Sequence, residues 1–191
     1  MIYSKLIPNG KFNNSAAFQE PQTSNYALMK QFHSDIVIEV SKPAIYKADG
    51  IITEKKSLAV VVQTADCMPV LMYDEKKVGA LHIGWKGLEN SIFSNSLKHF
   101  NLSNLKVSIG PHAQKCCYEV KDDLESKLSL KPYCIYKDKK IFLNLSKAII
   151  DFCIMNNWPI EVSEICTICD EKFNSYRRNQ TIARQWSFAW I

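Results

Sequence analysis

The stretch SLAVVVQTADCMPVLMYDEKKVGALHIGWKG, residues 57–87, decides the fold. Within it SLAVVVQT (57–64), PVLMYDE (69–75) and KVGALHIG (77–84) are short runs rich in β-branched residues and separated by turn residues, the pattern of consecutive strands. LAVVV is apolar at every position, so that strand is expected to be central and covered on both faces. After Gly84 the apolar spacing lengthens. Leu88, Ile92, Phe93, Ser96, Leu97 and Phe100 make the stripe of an amphipathic helix lying on a sheet.

Working outward, IVIEV (36–40), KVSIG (106–110) and EVSEI (161–165) read as further strands, and CIYKDKKIFLNL (134–145) as a hairpin turning on Lys137–Lys139. Residues 121–129 read as helical. A longer helix follows, capped by Asn144 or Ser146, with Leu145, Ile149, Phe152 and Cys153 facing inward and Trp158-Pro159 stopping it. In the closing WSFAWI, Trp186, Phe188 and Trp190 share one face of a strand. Residues 9–31 are polar and weakly patterned, with turn signals at Asn9-Gly10 and Glu20-Pro21, so residues 1–30 are expected to be irregular, with at most one short helix. Strands and helices mix without strict alternation. The class is therefore α+β (mixed α/β), layered around one core, in a single domain over residues 31–191.

Composition narrows the function. At 47% hydrophobic and 23% charged residues, the chain is globular rather than disordered or fibrous. Neither a secretory leader nor an apolar run of membrane-spanning length stands out, so a cytoplasmic protein with no membrane partner is expected. The net charge of +5 is spread over scattered lysines rather than a stripe, which argues against nucleic acid and suits a small anionic substrate. Seven cysteines (Cys67, Cys116, Cys117, Cys134, Cys153, Cys166 and Cys169) cannot pair off within one chain, which favours reduced thiols, a metal or catalysis over disulfides.

Three strings concentrate reactive side chains at strand ends: QFHSD (31–35), TADC (64–67) and HIGWKG (82–87). His33, Cys67 and His82 together offer two imidazoles and a thiolate, a catalytic zinc set with the fourth position left open. Their separations match no short zinc motif, so two alternatives stand: strand-end histidines with a buried cysteine, or Cys67 as nucleophile with His82 as its base. Asp66 is a candidate general acid/base, or the partner that orients His82. Lys86, in the first turn of the expected helix, is a candidate seat for phosphate with the pair Arg177-Arg178; that pair, with Arg184 after it, forms a basic patch in a turn that reads either as solvated surface or as a clamp for phosphate or carboxylate. His112, in a loop after Gly110-Pro111, is a candidate to reach the site. Cys166-x-x-Cys169 lacks the second cysteine pair of a structural zinc site; these thiols, with Cys116-Cys117, Cys134 and Cys153, are expected to be buried and structural.

The strings ADGIIT (48–53), TADCMPVLMYD (64–74), ALHIGWKG (80–87), IGPHAQKCCYEV (109–120) and NSYRRN (174–179) resemble, in this order, the bacterial multicopper polyphenol oxidoreductase or laccase-domain family. Its members also carry the names peptidoglycan editing factor and purine nucleoside phosphorylase. The resemblance runs from about Gln31 to Ile191. It implies a layered α-β-β-α sandwich, similar to a bacterial toxin's cysteine-hydrolase domain, and a zinc held by His33, Cys67 and His82. The activities it implies are phosphorolysis of adenosine, inosine and methylthioadenosine and deamination of adenosine, on a nucleoside and phosphate, by a monomer or homodimer. Hydrolysis of a peptidoglycan precursor, a copper oxidase and a non-catalytic metal-stabilised module are the alternatives. The chain departs from the family in three places. Residues 1–30 contain no arginine, which leaves phosphate to Lys86, Arg177 or Arg178; the family's Gly-Pro-Cys loop has His112; and its Gly-Arg is Ala183-Arg184. Four histidines cannot build both the blue site and the three-copper cluster of a laccase proper, so copper is the lesser expectation.

Overall fold

A computed structural model describes residues 1–12, 25–121, 127 and 129–191. Two six-stranded sheets dominate it. The first runs in the order β1 (Ile2–Tyr3), β2 (Lys11–Phe12), β15 (Gln185–Ala189), β7 (Ala59–Thr64), β3 (Tyr26–Met29) and β5 (Ala44–Tyr46). The second runs β14 (Ile160–Val162), β10 (Lys106–Ile109), β8 (Met68–Tyr73), β9 (Val78–Ile83), β6 (Gly50–Thr53) and β4 (Val37–Glu39). A small third sheet joins β11 (Glu119–Val120), β13 (Lys140–Leu143) and β12 (Cys134–Lys137).

The side-chain alternation of the opening stretch builds the layers. Val60 and Val62 of β7 meet Leu71 of β8 and Val78 and Ala80 of β9, forming a core between the two large sheets. The opposite-facing Val61 packs outside, against Trp186 and Phe188, with Tyr26, Leu28 and Trp190 beside them. LAVVV is therefore covered on both faces, and the three aromatic residues of the closing strand do share one. On the other face of the second sheet, Met68, Val70, Met72, Leu81 and Ile83 pack with Ile92, Phe93, Leu145, Ile149 and Cys153 from the helices. Helix layer, sheet and sheet follow as expected; among the described residues the outer face of the first sheet is clothed by rings from its own strands.

Three local outcomes refine the sequence reading. The helix expected after Gly84 is two pieces, α1 (Trp85–Glu89) and α2 (Ile92–Leu97), because Ser91 takes a left-handed φ of 63° between them. The hairpin has the predicted place. Asp138 and Lys139 both have positive φ, the backbone of a two-residue type I′ turn, and Cys134 pairs with Leu143. Helix α3 (Leu145–Met155) follows, with Asn144 at its N-cap position, and the short α4 (Tyr176–Asn179) comes after β14.

Residues 1–30 are not irregular throughout. They supply β1, β2 and β3, and β3 pairs in parallel with the central β7 through Tyr26↔Ala59 and Leu28↔Val61. Strands of two to four residues carry too little periodicity to stand out from loop, and sheet pairing supplies what propensity does not. Phe12 ties this segment to the second sheet: a side-chain carbon on Gly110 would lie only 2.2 Å from its ring. Any short helix within 13–24, and most of the helix expected over 121–129, falls outside the described residues.

Candidate metal centre and cleft

At one end of the inter-sheet core, the end of β7, the start of β8, the end of β9 and the loop after β3 converge. His82 shares the inward face of β9 with Val78 and Ala80 and is almost wholly buried. Cys67 sits at the close of the Thr64–Cys67 turn, where Asp66 adopts a left-handed φ of 88°. His33 comes from the loop after β3, also with a left-handed φ, of 62°, and is exposed. One ligating atom from each of the three lies within 4.8 Å of the others. Cys67 Sγ is 3.8 Å from His33 Nε2, and the two imidazole rings stand edge to face with centroids 4.9 Å apart. Strand pairing thus brings together what spacing alone left open.

Asp49, at the entry to β6, organises this set, and the sequence reading did not single it out. Its fully buried carboxylate accepts from His82 Nδ1 at 2.7 Å and from the main-chain N–H groups of Phe32, His33 and Ser34 at 3.2, 3.1 and 2.7 Å. Ser34 Oγ donates a further bond of 2.7 Å. One carboxylate therefore folds the loop that presents His33 and turns His82 so that Nε2 faces Cys67. Burial pushes the Asp49 carboxyl up, but the bonds from His82 and Ser34 outweigh it and hold it well below the usual carboxylate range. Burial also raises the Cys67 thiol, yet the neighbouring charge of His82 and the bond from His33 bring it down to about 6. His82, pushed down by burial, is carried up to about 9 by Cys67 and Asp49. The site favours a thiolate at Cys67 and positive charge beside it.

A metal fits this set. The donors are two imidazole nitrogens and one sulfur, the tautomer of His82 is fixed by a carboxylate, and the exposed His33 leaves one side open, as a catalytic zinc site requires. Gly84 makes the room: a side-chain carbon there would lie 3.0 Å from Cys67 Sγ and 3.4 Å from His33 Cδ2.

The set opens into a cleft of about 470 Å³ lined also by Gln31, Trp85, Tyr118, Tyr176, Arg177 and Arg184. Gln31 exchanges two hydrogen bonds with the main chain of Gln63, which anchors the His33 loop on β7. Arg177 lies 4.9 Å above the Tyr118 ring and donates through Nη1 to the carbonyl of Glu119. Burial holds the proton on the Tyr118 hydroxyl by pushing its pKa up.

Of the other candidates only Asp66 lines the cleft, and it does not orient His82. Its buried carboxylate accepts from Thr167 Oγ1 and from the main-chain N–H of Arg177, at 2.8 and 2.7 Å, tying the Cys67 turn to the C-terminal segment. Lys86 is exposed, its Nζ 5.5 Å from the Trp85 ring centroid, and does not line the cleft. Arg178 is absorbed by the fold: its guanidinium donates to the carbonyls of Thr167, Ile168 and Phe173. His112 is fully buried away from the cleft, donating through Nδ1 to the Gly110 carbonyl, and burial pushes its imidazole down to about 4. The missed residues carried a faint signal, since Asp49 lies in ADGIIT and Gln31 two positions before His33.

Of the four cysteines Cys116, Cys117, Cys166 and Cys169, all expected to be buried structural thiols, Cys166 is buried and Cys117 half-buried, but the other two are not. Cys116 and Cys169 are exposed, and the pair Cys116-Cys117 lies against Cys166 and Cys169, supplying the second pair that the lone Cys-x-x-Cys lacked. No helix among the described residues is long and apolar enough to cross a membrane.

Comparison with known proteins agrees with this architecture. The chain is 36% identical over 177 residues to a protein of Clostridium acetobutylicum named purine nucleoside phosphorylase, covering 84% of this chain and 74% of that one. A Borreliella burgdorferi protein with the same name is 32% identical over 97% of this chain and 91% of its own. Among solved structures, YlmD from Geobacillus stearothermophilus superposes with a TM-score of 0.76 at 26% identity, covering 86% of this chain and 73% of that one. The matched region reaches back to residue 11, some way before Gln31, in keeping with the strands found there. From residue 11 to residue 191 the chain belongs to the family described as multi-copper polyphenol oxidoreductase laccase.

Proposed function

We propose that the chain is a zinc-dependent purine nucleoside phosphorylase acting on adenosine, inosine and methylthioadenosine, with adenosine deamination as a second reaction of the same cleft. The observation that carries this reading is the pairing of an open His-Cys-His ligand set with cationic and aromatic walls in one cavity. Relatives named purine nucleoside phosphorylase support it.

Zinc held by His33, Cys67 and His82 would supply a Lewis acid beside the bound substrate. Trp85, Tyr118 and Tyr176 offer ring faces for a purine. Arg177 and Arg184 are the cations of the cleft, and their hydrogen bonds to the main chain engage only Nη1, leaving further donors of each guanidinium for phosphate. They replace Lys86 and Arg178 as the phosphate seat. In phosphorolysis a phosphate oxygen bonds to the anomeric carbon of the ribose as the bond to the purine nitrogen breaks, and the departing purine takes up a proton. The role of Arg177 and Arg184 is then to hold the phosphate in line for attack.

The copper in the family's name finds fewer ligands. Of the four histidines only His33 and His82 meet; His99 is bonded to Glu39 and His112 is buried elsewhere. A three-copper cluster needs more imidazoles than that.

Incubating purified, zinc-loaded protein with adenosine and phosphate should release adenine and ribose 1-phosphate, with inosine reporting deamination. Turnover to adenine should vanish without phosphate. If the zinc-loaded protein makes neither adenine nor inosine, the proposal fails.

A further inference from the structure

Cys116, Cys117, Cys166 and Cys169 form a second group of potential ligands, separate from the cleft. One sulfur from each lies within 4.8 Å of all the others. Cys169 Sγ is 3.7 Å from Cys116 Sγ and 2.9 Å from Cys117 Sγ, across 53 and 52 residues of chain. Four thiolates bonded to one metal at about 2.3 Å stand about 3.8 Å apart on the edges of a tetrahedron. The group already has nearly that size. A polynuclear iron–sulfur cluster spreads its thiolates over several irons and needs a wider cage than this.

The surroundings also treat one sulfur as an acceptor. The main-chain N–H of Gln114 points at Cys166 Sγ from 3.4 Å, and the N–H groups of Ile168 and Cys169 are directed at it too. Amides converging on the first sulfur of a Cys-x-x-Cys turn support a thiolate and orient it as a ligand. Cys116, Cys117, Cys166 and Cys169 are thiols rather than disulfide partners, so no disulfide competes for these atoms.

We propose that these four cysteines hold a single structural zinc ion as a closed tetrathiolate site. Binding expels the thiol protons to solvent and leaves no open position for substrate. The ion would clamp the segment after β10 to the segment before α4. Both segments reach the cleft. Cys117 precedes Tyr118, which lines the cavity, and Cys166 precedes Thr167, whose hydroxyl holds Asp66 and with it the turn bearing Cys67. The second zinc would therefore brace the wall of the cleft without touching the substrate.

The test is metal content, read independently of activity. Protein purified under reducing conditions without added metal should carry about two zinc ions per chain. Cys67→Ala should keep one, and Cys169→Ser should also fall to one. Cobalt loaded into the Cys67→Ala protein should show the visible absorption of a tetrahedral tetrathiolate; this decides the matter even if Cys169→Ser does not fold. Cys67→Ala protein that retains no metal and gives no such spectrum overturns the proposal. So does iron in place of zinc, or a protein two hydrogens lighter without reductant, with a Cys117–Cys169 disulfide.

Discussion

Asp49→Asn is the most informative single change, because it alters one atom and leaves the packing alone. The Asp49 carboxylate faces only donors: His82 Nδ1 and the His33 N–H on one oxygen, and the Phe32 and Ser34 N–H groups with Ser34 Oγ on the other. An amide must turn its NH2 toward one of these sides. If it faces His82, the imidazole can satisfy it only by moving its proton from Nδ1 to Nε2, the nitrogen that faces Cys67. If it faces the loop, two main-chain donors lose their acceptor and the turn that presents His33 loosens. Either arrangement removes or displaces a ligand.

Loss of an outer partner of a metal-bound histidine costs about 10- to 100-fold in affinity, or about 1.4–2.7 kcal/mol. The fold suffers less, since Phe32 and His33 are exposed and water can replace part of what they lose. A stability loss of about 1–2 kcal/mol corresponds to a fall in Tm of about 2–8 °C for a chain of this size. Competition with a chromophoric zinc chelator should show the cleft zinc weakened by about 10- to 100-fold, with the cysteine-bound zinc unchanged. Zinc affinity within twofold of the parent protein would refute the assignment of Asp49 as the organiser of the site.

Gly84→Ala should also weaken zinc, by at least about tenfold, through crowding of Cys67 and His33 rather than backbone strain, since φ at Gly84 is −93°; the same competition assay reads it, and full affinity with normal Tm would contradict it. The two adjacent arginines should separate. Arg178→Ala, which removes a donor from the carbonyls of Thr167, Ile168, Asp170 and Phe173, should cost about 2–4 kcal/mol in urea unfolding, whereas Arg177→Ala should leave stability nearly intact and raise the KM for phosphate by about 10- to 100-fold. The reverse pattern would exchange their roles. Glu39 is held below the ordinary carboxylate range by hydrogen bonds from Lys77 and His99. Its stabilising contribution is complete above the ordinary carboxylate pKa and is lost as pH falls through the lowered one. Because the group is largely exposed, Glu39→Gln should cost less than about 1 kcal/mol at pH 7, and the difference should disappear in acid.

How much was legible followed from the range over which each signal acts. Strands of four or more residues in the opening stretch announced themselves through β-branched composition, and the closing aromatic face through period-two alternation. The two-residue strands β1 and β2 did not, because two residues have no period; their identity comes from the partners they pair with. His33, Cys67 and His82 were nameable as a zinc set from their chemistry, but not as neighbours. Asp66, beside Cys67 in the chain, is by sequence a candidate to orient His82, yet the left-handed turn sends its carboxylate to Thr167 and Arg177.

By itself the sequence determined the layered α+β class, the central covered strand and the residue types able to bind a metal, because periodicity and ligand chemistry are local properties. Only the tertiary structure decided which groups meet. Parallel pairing of β3 with β7 delivers His33 to Cys67, and Asp49 reaches His82 from a neighbouring strand. The same folding gathers two cysteine pairs some fifty residues apart around one point and consigns His112 to the interior. Those meetings depend on strand register and loop closure, which no spacing along the chain encodes.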